Sequence, residues 1–159
     1  MSGGSPRWDT DFARERRVTP PPGGDAVCGV VGIGVDAVDV ARFRAAIERR
    51  PGLVDRLFTD AERAYAGRGR DPGPRLAARF AAKEAVLKAL GVGIGTAAFR
   101  EIEVVRDGDG APSVSLSGAA AALAGARRVD RWHLSLTHTD TVAVASVVAE
   151  GGTATAKRR

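Results

Sequence analysis

Three short segments carry the side chains whose types and spacing could do chemistry. The first, Gly32-Ile33-Gly34-Val35-Asp36, is a glycine-rich strand ending on a carboxylate. A carboxylate at a strand end suits a hard divalent cation, which takes oxygen ligands, and the glycines would let an anion approach. The same residues satisfy a relaxed dinucleotide-binding pattern, Gly32-x-Gly34-x-x-Ala37. That reading needs an acidic residue about 20 positions on, ending a second strand, and the position falls in helix or loop. The plain structural alternative is a glycine-rich strand end with a helix-capping Asp36.

The second segment is Phe80-Ala81-Ala82-Lys83-Glu84-Ala85-Val86-Leu87-Lys88. Phe80, Glu84 and Lys88 stand four apart and share one helix face, while Ala81 and Leu87 flank it and can anchor it to a core. The plain alternative is a solvent-facing Glu84–Lys88 pair worth about 0.3–0.5 kcal/mol. Only three of the 24 basic residues are lysines, and two of those fall here, so the segment stands out from an arginine-rich background. The third segment, Ser135-Leu136-Thr137-His138-Thr139, groups hydroxyls with an imidazole and could hold a phosphate through hydrogen bonds. A simple strand-terminal turn explains it equally well. His133 and His138 are five apart, on opposite faces of a strand, which disfavours a zinc pair. The chain has no Gly-x-Ser-x-Gly elbow for a Ser-His-Asp hydrolase.

These segments need elements to hold them. Residues 27–36 read as a buried strand, and Val40, Phe43 and Ile47 give a helical period that Pro51-Gly52 stops. Thr59-Asp60-Ala61-Glu62 has capping-box form and opens a second helix. Arg75 to Leu90, rich in Ala and Leu, is the strongest helix, closed by Gly91. Glu101–Arg106 and Ser113–Leu116 read as a hairpin across Asp107-Gly108-Asp109-Gly110, Gly118–Ala126 as a short helix, and Trp132–Thr137 and Val142–Val148 as two final strands. The expected order is β-ααα-ββ-α-ββ, a single α+β domain with a mixed sheet packed on a long helix.

Length and composition agree. With 159 residues, 44% of them hydrophobic and 27% charged, the chain suits one globular domain. Residues 1–26, with charge, glycine and Pro20-Pro21-Pro22, read as a disordered extension, 151–159 as a basic flexible tail, and 27–150 as the domain. The single Cys28 excludes an internal disulfide and fits a cytoplasmic protein; no apolar run approaches the roughly 20 residues of a membrane helix. A net charge of +5 favours an anionic partner.

Together, GIGVD at 32–36, RFAAKEAVLKALGVGIG at 79–95, DGDGAPSV at 107–114 and SLTHT at 135–139 resemble the small holo-acyl-carrier-protein synthases of the 4′-phosphopantetheinyl transferase superfamily. The resemblance implies that fold and transfer of 4′-phosphopantetheine from coenzyme A to a serine of an acyl carrier protein, with release of adenosine 3′,5′-bisphosphate. By matching motif positions it implies Asp36 and Glu84 as Mg²⁺ ligands, and Glu84 and Lys88 as the catalytic pair. It places Lys83, Lys88, Arg79, His138 and Gly93 at the coenzyme. The larger monomeric members carry a second carboxylate two residues after the strand aspartate, where Val38 stands here. The chain is thus similar to the short class, which is trimeric with sites at subunit interfaces. Either Glu84 or a metal-bound water could take the serine proton.

The carrier protein should meet the first helical region. Between Arg42 and Arg70 eight arginines face four acids, so Arg42, Arg49 and Arg56 are expected to steer an acidic helix, with a solvated basic face as the plain alternative. A basic nucleic-acid-binding module is a weaker reading, since aromatics are few and the arginines scattered. An inactive scaffold of the same fold is disfavoured because both carboxylates and both motif lysines are present.

Overall fold

The computed structural model describes residues 28–50, 52–106 and 110–152. The expected extension over 1–26, the tail beyond Gly152, Pro51 and the hairpin tip at 107–109 lie outside the described residues. The elements are β1 (Cys28–Asp39), α1 (Val40–Arg49), α2 (Leu53–Leu57), α3 (Asp60–Ala66), α4 (Gly73–Ala89), a 3₁₀ turn (Phe99–Glu101), β2 (Ile102–Arg106), β3 (Pro112–Leu116), α5 (Gly118–Ala126), β4 (Val129–His138) and β5 (Val142–Gly152). The α+β order is as expected, with α2 as one added turn. It begins after Gly52, whose φ of 84° restarts the chain where Pro51-Gly52 was expected only to stop a helix.

The sheet differs from the mixed one expected. Strands β1, β5 and β4 form one sheet in that order and β2 and β3 another, and every pairing is antiparallel. The physical reason is that β5 returns from the turn after β4 and inserts between β4 and β1, so the two strands that run parallel never hydrogen-bond each other. Strand β5 also outlasts its expected end: Gly151 and Gly152 pair with Gly29 and Cys28.

One face of the larger sheet lies on α4. Along β5, Ala143, Ala145, Val147 and Ala149 are fully buried, as are Ala81, Ala82, Ala85 and Val86 of the helix. Small residues on both sides let helix and sheet come close, and on β1 the approach is closer still. A Cβ at Gly32 would lie 2.1 Å from the Ala89 carbonyl oxygen, and one at Gly34 would lie 1.8 Å from that of Ala85. The glycines that suggested an anion cradle or a dinucleotide fingerprint therefore admit the backbone of α4 instead. A second cluster, with Val40, Phe43, Phe58, Leu76 and Ala77, packs α1 to α3 against the other flank of α4.

Candidate active site

Asp36 sits late in β1, beyond the glycines that seat the strand on α4, and α4 carries Glu84 and Lys88 on the facing turns. The Lys88 ammonium donates to Asp36 Oδ1 at 2.7 Å and to the Val35 carbonyl at 3.0 Å. The exposed i,i+4 pair with Glu84 is therefore not what Lys88 makes; it bridges helix and strand. Glu84 is only 8% exposed, and among the described residues no group donates a hydrogen bond to its carboxylate. Burial pushes the Glu84 carboxyl up, the Asp36 charge pushes it the same way, and Lys88 pulls it partly back. Two carboxylates stand close enough to repel, and Lys88 pairs directly with only one of them, Asp36.

Both carboxylates line one cavity of about 880 Å³ between α1 and α4. Its walls are mostly apolar: Phe43 and Phe80 meet at 5.6 Å between ring centroids, and Phe80 stacks on Phe99 at 5.4 Å. Arg42 and Arg49 line the same cavity, as does Arg50, which the sequence reading did not single out. Arg56 lies on an adjoining depression that shares Leu53, Leu57, Ile94 and Phe99 with it. Gly93 is exposed and lines neither space, although its neighbour Ile94 lines both.

His138 and Arg79 face a different cavity of about 190 Å³, together with Tyr65, Arg75 and Arg106. The Arg79 guanidinium lies 4.0 Å from the Tyr65 ring centre, and Arg106 donates to the Tyr65 hydroxyl at 2.8 Å. Arg79 is 4% exposed, and its Nε and Nη1 of Arg75 are buried without partners. Burial lowers the proton affinity of Arg79, against the attraction of Glu62. The cavity thus gathers three guanidinium groups and an imidazole, a concentration of positive and donor groups in one place. Tyr65, Arg75 and Arg106 come from α3, α4 and β2, so no spacing marked them. The usable signal was the sole tyrosine in an arginine-rich chain.

Lys83, expected at the coenzyme, lines none of these spaces. Its side chain is fully buried, and its ammonium is enclosed by Glu62 Oε2 at 2.6 Å and by the carbonyls of Leu57 at 2.8 Å and Phe99 at 2.9 Å. Successive residues of a helix point about 100° apart, so Lys83 faces this enclosure while Glu84 faces the cavity. His133, on the other face of β4 from His138, bonds Glu150 at 2.8 Å.

A strand and a helix thus join two carboxylates over a largely apolar cavity, and an arginine-lined cavity lies elsewhere on the same chain. The chain belongs to the 4′-phosphopantetheinyl transferase superfamily, whose sequence profile matches residues 32–147. It is 55% identical over 120 residues to the holo-[acyl-carrier-protein] synthase of Clavibacter sepedonicus, spanning 76% of this chain and 95% of that one. The crystal structure of the holo-[acyl-carrier-protein] synthase of Neisseria meningitidis superposes with a TM-score of 0.69 at 32% identity, over 76% of this chain and 98% of that one. The synthase of Bacillus anthracis in complex with CoA (3′,5′-ADP) superposes with a TM-score of 0.64 at 34% identity, over 77% and 98%. No helix among the described residues is long and apolar enough to cross a membrane.

Proposed function

We propose that the chain transfers 4′-phosphopantetheine from coenzyme A to a serine of an apo acyl carrier protein. The observation that carries this reading is Asp36 and Glu84 sharing one cavity, in a member of this superfamily. The serine oxygen attacks the phosphorus that bears the pantetheine arm, the pyrophosphate P–O bond breaks, and adenosine 3′,5′-bisphosphate leaves. The serine proton passes to a base in the cavity, which Asp36, Asp39 and Glu84 line, Asp39 being already engaged as the N-cap of α1.

The donor set suits Mg²⁺: hard oxygen ligands, two carboxylates, and a buried negative charge that one lysine only partly offsets. Asp36 and Glu84 would hold the ion, and when bound it supplies charge neutralisation at the pyrophosphate oxygens. Lys88 keeps Asp36 in place and adds a fixed positive charge beside it. The cavity with Arg75, Arg79, Arg106 and His138 is suited to the phosphate-bearing nucleotide end of coenzyme A. Arg42, Arg49 and Arg56 give the cavity mouth the charge that an acidic carrier helix needs.

The two cavities share no lining residue, and we infer that a homotrimer brings them together. Supporting this, Val30, Ile33 and Val35 are 57%, 64% and 53% exposed on the face of β1 turned away from α4, an apolar patch suited to another copy. A lone cysteine and the carrier-protein substrate accord with a cytoplasmic enzyme. The experiment is mass spectrometry of an apo acyl carrier protein after incubation with the chain, coenzyme A and Mg²⁺. The expected result is a mass gain of one phosphopantetheinyl group with matching release of adenosine 3′,5′-bisphosphate. An unmodified carrier would overturn the reading.

A further inference from the structure

The ion pair behind the carboxylate cavity has no part in the chemistry described so far. Lys83 and Glu62 are both buried, at 0% and 1% exposure, in a chain where every other lysine or glutamate of the described residues reaches solvent or a cavity. Every polar atom of the pair is used. The Lys83 ammonium donates to Glu62, to the Leu57 carbonyl at the end of α2 and to the Phe99 carbonyl in the 3₁₀ turn. Glu62 Oε2 also accepts from the Thr59 amide at 3.0 Å, and Oε1 accepts from the Val104 amide of β2 at 3.0 Å. Thr59 in turn donates to Glu103 at 2.8 Å. Five elements thus converge on one ammonium–carboxylate contact.

A buried ion pair is a poor way to gain stability, because well-packed apolar residues of equal volume do as well or better. What it supplies is direction, since each bond fixes one donor against one acceptor. The residues fixed are those of the cavity. Leu57 and Phe99, held by their carbonyls, form part of its wall, and Lys83 precedes Glu84 on the helix. We propose that Lys83 and Glu62 are positioning residues of the transfer reaction, a buried strut that sets the turn of α4 carrying Glu84 against the Leu57–Phe99 wall. This rests on the proposed reading of the cavity as the reaction site.

The test compares Lys83→Met, Glu62→Gln and the double variant with the parent. Each single change strands a buried partner, and Lys83→Met should lower the melting temperature by roughly 8 °C or more, whereas the double variant should recover most of that loss. At saturating coenzyme A and carrier protein, the recovered double variant should still show kcat at least about tenfold below the parent, with KM for both substrates within about twofold. A double variant that regains both stability and parental kcat would overturn the proposal, leaving the pair a fold element only. Amide hydrogen exchange on the parent gives a second reading that needs no variant to fold. The Val104 amide and those of α4 around Glu84 should exchange only through global unfolding; faster exchange through local opening would equally overturn the strut. Should the parent itself modify no carrier protein, the functional reading fails while the exchange measurement still stands or falls alone.

Discussion

The Lys88 ammonium reaches across from α4 to the Asp36 carboxylate at 2.7 Å, bypassing Glu84 one turn earlier on its own helix. This choice leaves the more buried carboxylate without a hydrogen-bond donor among the described residues. The site therefore stores an electrostatic deficit at Glu84, which a bound cation or a proton relieves.

That deficit gives a stability prediction with a definite sign. The folded-state proton affinity of Glu84 is raised above its unfolded value of about 4.3. Any stability linked to the protonated group is complete below that value and is lost as pH rises through the folded one. Without Mg²⁺ at neutral pH, Glu84→Gln should therefore melt a few degrees above the parent, with the difference vanishing toward pH 4. The same variant should lose at least about 10²-fold in kcat. Thermal unfolding from acid to neutral pH, together with an activity assay, checks both halves.

Mg²⁺ itself should stabilise the parent through binding to the folded state alone. The rise in melting temperature with added Mg²⁺ should disappear in Asp36→Asn and in Glu84→Gln. An equal rise in all three proteins would place the ion elsewhere. Calorimetric titration of Mg²⁺ into each variant gives the same comparison at constant temperature.

The seating of β1 on α4 is testable at Gly34. A Cβ there meets the Ala85 carbonyl oxygen at 1.8 Å, backbone against backbone, so no side chain can swing aside. Overpacking of this kind costs about 1–3 kcal/mol or more, so Gly34→Ala should lower the melting temperature by roughly 5 °C or more. Because the displaced helix bears Glu84 while the strand bears Asp36, activity of the folded fraction should fall as well. Circular dichroism melting with an assay well below the transition separates the two effects.

How much of this was legible beforehand follows burial. The period of four that joins Phe80, Glu84 and Lys88 is local, and the structure keeps that face together at the cavity and its edge. The burial of Lys83 was not legible, because lysine is ordinarily solvated and the groups that enclose it arrive from α2, α3 and the 3₁₀ turn. Glu62 was visible as half of a capping box, a role it does fill, but its second oxygen serves Val104 in β2, far along the chain. Gly32 and Gly34 told of close approach without telling what approaches. The added turn of α2 is five residues long, too short for periodicity to mark.

The two cavities should respond to substitution in opposite ways. Arg42 lies at the mouth of the carboxylate cavity and Arg79 in the guanidinium cluster beside His138. Arg42→Glu should raise KM for an acidic carrier protein by about tenfold and leave coenzyme A affinity within about twofold. Arg79→Ala should weaken coenzyme A binding by at least about tenfold while sparing the carrier. Calorimetry with coenzyme A and steady-state kinetics with varied carrier protein make the comparison, and equal losses in both variants would mean the cavities do not divide the substrates.

Ile33 tests whether those cavities are brought together by assembly. Its side chain points away from α4 and is 64% exposed, so a charge placed there touches none of the core of its own chain. If the apolar face of β1 packs on a neighbouring copy, Ile33→Asp buries an unpaired carboxylate at that contact, which is strongly unfavourable. The parent should then sediment at three times the 16.5 kDa chain mass and the variant at one. The variant should also lose transfer activity at concentrations where the parent is fully active, and regain part of it as concentration rises, because the loss lies in association and not in folding. A parent that sediments as a single chain with full activity would instead assign both cavities to one subunit.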